Sequence, residues 1–578
     1  MSLLTVKRFD DRVFQKAPEW TVEAGAVSLS SANFVSLSAN SGQVTFQIQA
    51  PSQSVYLDRL VQWQQTCAVK LQVNMTQAPE VYPQAVVVPG RDFALCSSPL
   101  HSLVTSIQAT ICNQQVSSNL NQNREIMDLL SDTPMDREWR TYPCALDVFA
   151  DYNDAYGTSM NPLAGFDSAT YGATIGNGAW PLVFTNPAGS PTTAYTDAQG
   201  NLITFTAQGL PRINIQTDLV NAELVDVYFQ FQSVEPLQIS PFIWREVFER
   251  KTGLSQIQNL QVIMNIQSAL QARLIRSTSA AGRLLVSQAL WPIGSSGSPF
   301  AGSGLVSQFL TPPPDLPAPA ANVVDLQTIT PYVYPTAPIR VQGSSQGPVQ
   351  TQTLSLNAIP DYIIVAVQPT PAYMTSAGAR TLATFYVPIV SVSATWSNVA
   401  GLLSSQSQQQ LFGICKANGL KMTWPQWRGF ADQASAGREG TVQLTGGPLI
   451  LRPGIDLTLP PGQASGQSNG QWTFSVQLQV DTSAIPVSIL QDPAWALQTT
   501  VLAVNSGFFA TVAGECRITI GPLAGPMGAA RDDPNALSSI PVAGSVSRPE
   551  FTELYEGARL IGSGGPRNRM RMSDRVRR

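Results

Sequence analysis

Apolar and polar residues alternate with a period of two along most of this chain. Val44, Phe46 and Ile48 alternate with Gln43, Thr45, Gln47 and Gln49; Cys67, Val69, Leu71, Val73 and Met75 alternate with Thr66, Lys70, Gln72 and Asn74. Successive side chains of a strand point to opposite faces, so each such run predicts a strand with one buried face. Ile107, Ala109 and Ile111 continue the pattern, as do Val225, Val227, Phe229 and Phe231, then Leu260, Val262, Met264 and Ile266. Trp472, Phe474, Val476, Leu478 and Val480, separated by Thr, Ser and Gln, make the most regular run. Further strands are predicted over 284–290, within 354–367, over 390–396 and over 498–520. Helical spacing is brief. It predicts a helix at 120–131 with Ile126, Met127, Leu129 and Leu130 on its apolar side, and one at 405–417 closed by Gly419. A short helix is expected in IWREVFERKTG, with Gly253 capping its end.

Two of these stretches echo each other. Residues 106–130 read SIQATICNQQVSSNLNQNREIMDLL and residues 391–415 read SVSATWSNVAGLLSSQSQQQLFGIC. They align without a gap, Ser106, Ala109, Thr110 and Asn113 matching Ser391, Ala394, Thr395 and Asn398. Each runs from strand through a polar corner into a helix. A unit repeated once at such a separation points to a duplicated domain rather than a short-period solenoid. The expected organisation is all-β: an arm over 1–40, one sandwich over 41–240, a second over 241–525, and a tail over 526–578. Residues 145–212, rich in Gly, Ala, Asn and Tyr, read as a long excursion from the first sandwich.

Composition narrows the picture. The chain has 578 residues, ample for two cores. Only 12% of them are charged, against roughly 25% in average proteins. A surface of amides and hydroxyls carries little like charge to oppose close approach, which suits a protein that packs against its own copies. The 43 prolines and 42 glycines punctuate short strands and long loops. Neither a signal-peptide pattern nor an apolar run approaching about 18 residues is present, so no membrane span is expected. The tail is the one strong electrostatic feature. Arg559, Arg567, Arg569, Arg571, Arg575, Arg577 and Arg578 stand against Asp574, a net of +6 in a chain whose formal charge is −4. Such a segment is suited to phosphates or acidic protein surfaces.

Candidate chemistry is sparse. Cys67, Cys96, Cys112, Cys144, Cys415 and Cys516 form no CxxC pair, and His101 is the single histidine, so no metal site is expected. Cys67 falls on the apolar side of its strand and reads as a buried thiol. GxSxG occurs around Ser345 and Ser468, both in polar loop sequence, with His101 the single candidate base for either. His101, after Pro99-Leu100, reads as a structural residue at a turn. The Asp136-Arg137-Glu138-Trp139-Arg140 cluster reads as surface ion pairs. Neither a P-loop nor a DxDxDG calcium loop is present. No enzymatic role and no cofactor are expected.

The stretches GQVTFQIQAPSQSVYLDR at 42–59, PGRDFALCSSPLHSLVTSIQAT at 89–110, GLSQIQNLQVIMNI at 253–266 and FYVPIVSVSATWSNVAGLLSSQS at 385–407, in this order, resemble the double jelly-roll major capsid proteins of icosahedral DNA viruses. That lineage includes adenovirus hexons, virophages and Polinton-like viruses. The resemblance spans roughly residues 40–525 and is one of architecture and segment order. It implies two tandem jelly rolls, homotrimeric pseudo-hexameric capsomers, an icosahedral shell and residence in the virion. It also implies terminal arms that reach neighbours or the interior, with penton or minor capsid proteins as further partners and nucleic-acid contact through the tail arginines. Two other readings stay open on the residues alone: a shell protein with a single jelly roll plus a protruding domain, and a virion fibre or carbohydrate-binding attachment protein using Tyr-bearing loops such as 152–156.

Overall fold

The computed structural model describes residues 28–52, 54–74, 85–87, 94–95, 98–131, 183–196, 202–207, 213–217, 224–242, 252–266, 274–276, 285–292, 297–312, 321–340, 348–375, 385–435, 438–443, 446–467, 470–483, 485, 487–512 and 514–520. Two antiparallel sandwiches follow one another along the chain. The strands of the first are β1 (Ser28–Val35), β2 (Gln43–Ile48), β3 (Gln62–Asn74), β4 (Val104–Ile111), β5 (Gln114–Ser118), β6 (Leu224–Pro236), β7 (Leu260–Ile266) and β8 (Gly304–Thr311). One sheet has the order β1-β8-β3-β6 and the facing sheet β2-β7-β4-β5.

The second sandwich uses β9 (Ala321–Thr336), β10 (Pro348–Gln350), β11 (Tyr362–Pro369), β12 (Ile389–Trp396), β13 (Val399–Leu402), β14 (Leu449–Leu451), β15 (Trp472–Val480) and β16 (Leu497–Val512). Its sheets run β9-β16-β11-β14 and β10-β15-β12-β13. Adding eight to each strand number of the first sandwich reproduces the second. Apart from the β4–β5 and β12–β13 hairpins, neighbours in each sheet come from distant parts of the chain, which is the crossed connectivity of an eight-stranded jelly roll. β17 (Glu515–Ile520) then pairs with the far end of β16.

The predicted alternation is what fills the cores. β2 shows Val44, Phe46 and Ile48 buried between half-buried polar residues, and β7 buries Leu260, Val262, Met264 and Ile266. β15 buries Trp472, Phe474, Val476, Leu478 and Val480. The repeated unit is confirmed in detail. β4 and β12 have the same succession of buried and half-buried positions over their eight residues, with Ala109 and Ala394 both fully buried. Each is followed by a short partner strand and then a helix: α2 (Leu120–Ser131) in the first half, and α3 (Gln408–Ala417) in the second. A four-residue helix, α1 (Pro99–Ser102), precedes β4. Ser407 caps α3 in a reciprocal capping box with Gln410. Gly419, at φ +98°, follows its end, where Leu420 N–H bonds the Cys415 carbonyl.

Three sequence expectations are corrected. The boundary at 240/241 falls inside the first sandwich: β7 pairs with both β2 and β4, and β8 pairs with β1 and β3. The strand Leu285–Trp291 likewise pairs with β3. The sandwiches instead change over between Thr311 and Ala321. Residues 237–259 connect β6 to β7. Alternation shows that a strand has a buried face but not which sheet it joins. Second, residues 28–35 are no arm. They are β1, and its small polar residues are mostly exposed at the sheet edge, so it has no apolar face to read. Third, part of the excursion is ordered as strands: Ala194–Thr196 and Leu202–Ala207 form a small sheet with Ile213–Thr217, just beyond it, and Ala85–Val87. The helix expected near 243–251 lies outside the described residues. Gly253 has no left-handed φ; a Cβ there would stand 2.9 Å from the Leu57 carbonyl oxygen, so the glycine permits a close backbone approach.

Candidate functional site: the seam between the sandwiches

The working feature of a duplicated sandwich is how its halves are held together, and here they exchange core residues. β9 and β16 pair along sixteen residues. At one end Val324, Leu326 and Phe509 join the core of the first sandwich, while Val501, Leu502 and Val504 belong to the second. In return Ile126 and Met127 of α2, a first-half helix, are buried in the second core. The long strands therefore run through both cores.

Polar groups fix the angle of this joint. Arg59, 3% exposed, donates from Nε to the Pro241 carbonyl at 2.6 Å, from Nη1 to Asp325 Oδ1 at 2.6 Å and from Nη2 to the Asp325 carbonyl at 3.1 Å. A planar guanidinium that meets three acceptors in fixed directions positions β9 against the first sandwich. Asn322 Nδ2 donates to the Gly253 carbonyl at 2.8 Å, Gln327 N–H to Ser240 Oγ at 2.9 Å, and Gly514 N–H to Gln256 Oε1 at 3.0 Å. Apart from the Arg59–Pro241 bond, which holds the guanidinium within the first half, each of these bonds joins a first-half residue to the 321–327 or 512–516 stretch.

Behind the seam lies a buried carboxylate. Glu235 Oε1 accepts from Leu100 N–H and from Ser233 Oγ, both at 2.7 Å. Its Oε2 accepts from His101 N–H at 2.9 Å and from His101 Nδ1 at 2.7 Å. His101 Nε2 accepts from Gln238 N–H at 3.4 Å, which assigns the ring proton to Nδ1. His101 is fully buried, edge-on to Trp63 with ring centroids 5.6 Å apart, so it is the structural residue its sequence context predicts. A cavity of about 20 Å³ lies in the seam, lined by Ser117, Asn123, Arg124, Gln238, Ser240 and Gln327 among others. It is the size of a single water and too small for a metabolite.

The four cysteines among the described residues fall into two kinds. Burial pushes the Cys67 thiol far up and the Cys415 thiol up to about 12, which keeps both protonated and inert. Cys112 lies at the β4–β5 corner, half-exposed, and Cys516 in β17 is buried. Among the described residues no group of three metal-ligating side chains occurs, and no helix is long and apolar enough to cross a membrane. Ser345, Ser468, Asp136–Arg140, residues 152–156 and the tail arginines, Arg559 to Arg578, lie outside the described residues. The sequence reading missed Arg59, Glu235 and Asn322. The available signal was weak: Asp58-Arg59 interrupts the apolar run from Val55 to Val61, and Glu235 sits among apolar residues.

Two tandem jelly rolls of identical strand order, fused along a common seam, define a double jelly-roll protein of the viral capsid class. Comparison with known proteins agrees. A family described as "Sputnik virophage major capsid protein 1st domain" matches residues 3–310, and "Major capsid protein V20 C-terminal domain" matches residues 333–507. The first match alone spans more than half of the sequence, and the chain belongs to the virophage major capsid protein family. It is a structural protein of the virion. The changeover between the two matches coincides with the changeover between the sandwiches. The "Putative capsid protein V20" of Sputnik virophage is 24% identical over 486 residues, covering 82% of this chain and 73% of that protein. The Sputnik virophage structure determined by cryo-EM superposes with a TM-score of 0.67 at 21% identity, covering 96% of this chain and 98% of that one. The crystal structure of the mavirus major capsid protein gives a TM-score of 0.57 at 13% identity, covering 90% and 96%.

Proposed function

We propose that three copies of this chain associate into a pseudo-hexagonal capsomer, and that such capsomers tile the faces of an icosahedral shell. The observation that carries this reading is the strand-for-strand duplication. One chain presents two similar walls at a fixed angle, so a threefold ring presents six and fills a hexagonal position. The sparse charge supports it, because contacts between amide-rich surfaces desolvate few ions. The edge strand β1 supports it too: Leu29 and Val35, with Leu37 just beyond, are 63–65% exposed on a sheet margin that a neighbouring copy would cover.

In this reading the residues before β1 and the tail after 526 reach neighbouring chains or the interior. The seven tail arginines neutralise phosphates of packaged nucleic acid, and minor capsid proteins fill the positions that trimers leave open. Light scattering on the size-fractionated chain tests the capsomer. A mass about three times 62.1 kDa that persists in moderate salt is the expected result, and a monomer at high concentration overturns it. The same measurement on a chain lacking 559–578 separates the tail from the trimer: trimers persist, while shell yield and salt-sensitive oligonucleotide binding fall.

A further inference from the structure

Cys112 and Cys516 come from opposite ends of the folded chain and meet at the seam. Cys112 occupies the left-handed corner between β4 and β5, at φ 44°. Its Sγ accepts from Gln258 N–H at 3.4 Å and stands 3.9 Å from the Gln256 carbonyl, while its own N–H donates to the Asn259 carbonyl at 3.0 Å. The β16–β17 turn docks on two of these residues, Gln256 and Gln258. Gly514 N–H reaches Gln256 Oε1 at 3.0 Å, and a Cβ on Gly514 would stand 3.3 Å from Gln258 Nε2. Cys516, 5% exposed, belongs to the first core, and Cys112 packs against that core. The segment 256–259 thus holds the Cys112 thiol directly and, through Gly514, the turn that leads into Cys516.

The two thiols are chemically unequal. The neighbouring Cys516 thiol draws the Cys112 pKa below its usual value, to about 6; burial opposes the shift, and the Gln258 and Asn259 backbone groups add to it. The adjacent Cys112 thiol and burial hold the Cys516 thiol up. A half-exposed, thiolate-prone cysteine beside a buried protonated one is the arrangement of an attacking thiol and its resolving partner.

We propose that Cys112 and Cys516 are a disulfide-forming site that locks the first sandwich to the last strands of the second when the protein meets a low-molecular-weight disulfide. The Cys112 thiolate attacks one sulfur of that disulfide, forms a mixed disulfide and releases one small thiolate. Cys516 then gives up its proton, attacks Cys112 Sγ and releases the second. Two protein thiols are oxidised and one small disulfide is reduced to two thiols. The bond closes the chain from residue 112 to residue 516, across both sandwiches, and constrains the unfolded state accordingly. A shell built from reduced chains in a reducing cell thereby stiffens at each seam once outside it.

The test uses the full reduced chain and oxidised glutathione at pH 7, followed by intact mass and peptide mapping without reductant. The expected product has lost two hydrogen atoms, carries a peptide linking Cys112 to Cys516, and melts at a higher Tm that reductant returns to the starting value. Cys516→Ser is expected to stop at glutathione on Cys112, at least about tenfold faster than on Cys67 or Cys415. The wild-type map needs no variant to fold. Glutathione left on wild-type Cys112, Cys112 linked to any other cysteine, or no reaction at Cys112 would each overturn the proposal.

Discussion

Glu235 shows how much one residue contributes to this fold. A carboxylate 1% exposed is costly to bury, and it is stable here because two backbone N–H groups, a hydroxyl and the His101 ring converge on it. Removing it leaves those donors facing a hole. Glu235→Ala is expected to cost about 3–5 kcal/mol in urea unfolding. Glu235→Gln, which keeps one acceptor oxygen, is expected to cost less. A Glu235→Ala protein within about 0.5 kcal/mol of wild type would mean the carboxylate contributes nothing net, as replaced buried ion pairs sometimes do. The sequence marks His101 as structural but gives no hint of its partner, because 134 positions separate them along the chain. Arg59 is similar: its role depends on Asp325, which only the packed halves bring within reach.

At the scale of elements, the sequence is most readable where one face is buried and the other is wet. β2, β7 and β15 alternate cleanly because each lines a core on one side only. β11 and much of β16 are buried on both faces, so neither sequence alternates between apolar and polar residues. β1 fails in the opposite sense: too little of it is buried to leave a pattern. Helix α3 carries its own start signal in Ser407 and Gln410. Ser407→Ala removes the acceptor for Gln410 N–H and is expected to lower stability by about 1 kcal/mol, read as a shift in the urea midpoint at constant slope. A change in slope instead would mean that α3 frays independently of the core it packs on, through Leu411 and Cys415.

For the whole molecule, the decisive fact is that each sandwich closes only with its last two strands. A fragment over 41–240, the extent that composition suggests, lacks β1, β7 and β8 and leaves both sheets of the first sandwich open. A fragment over 28–318 keeps all eight strands and loses only the seam to β9, β16 and β17. The longer fragment is expected to melt cooperatively, at a lower temperature than the intact chain because Val324, Leu326 and Phe509 no longer fill its core. The shorter one is expected to show no cooperative transition by circular dichroism. Equal melts for the two fragments would sink this account of closure.

By itself, the sequence determined the all-β class, the strands with a single buried face, the two helices and the duplication, because local periodicity and capping are short-range and survive in one dimension. The stretches at 42–59, 89–110, 253–266 and 385–407, in their order, carried the family resemblance for the same reason. Which strands pair, where one sandwich ends and the next begins, and which thiols and charges meet at the seam were decided only by the tertiary structure. Most jelly-roll neighbours are distant along the chain, and an alternating strand presents the same face to any partner of matching pattern. Only the simultaneous closure of two sheets around each core selects among those partners.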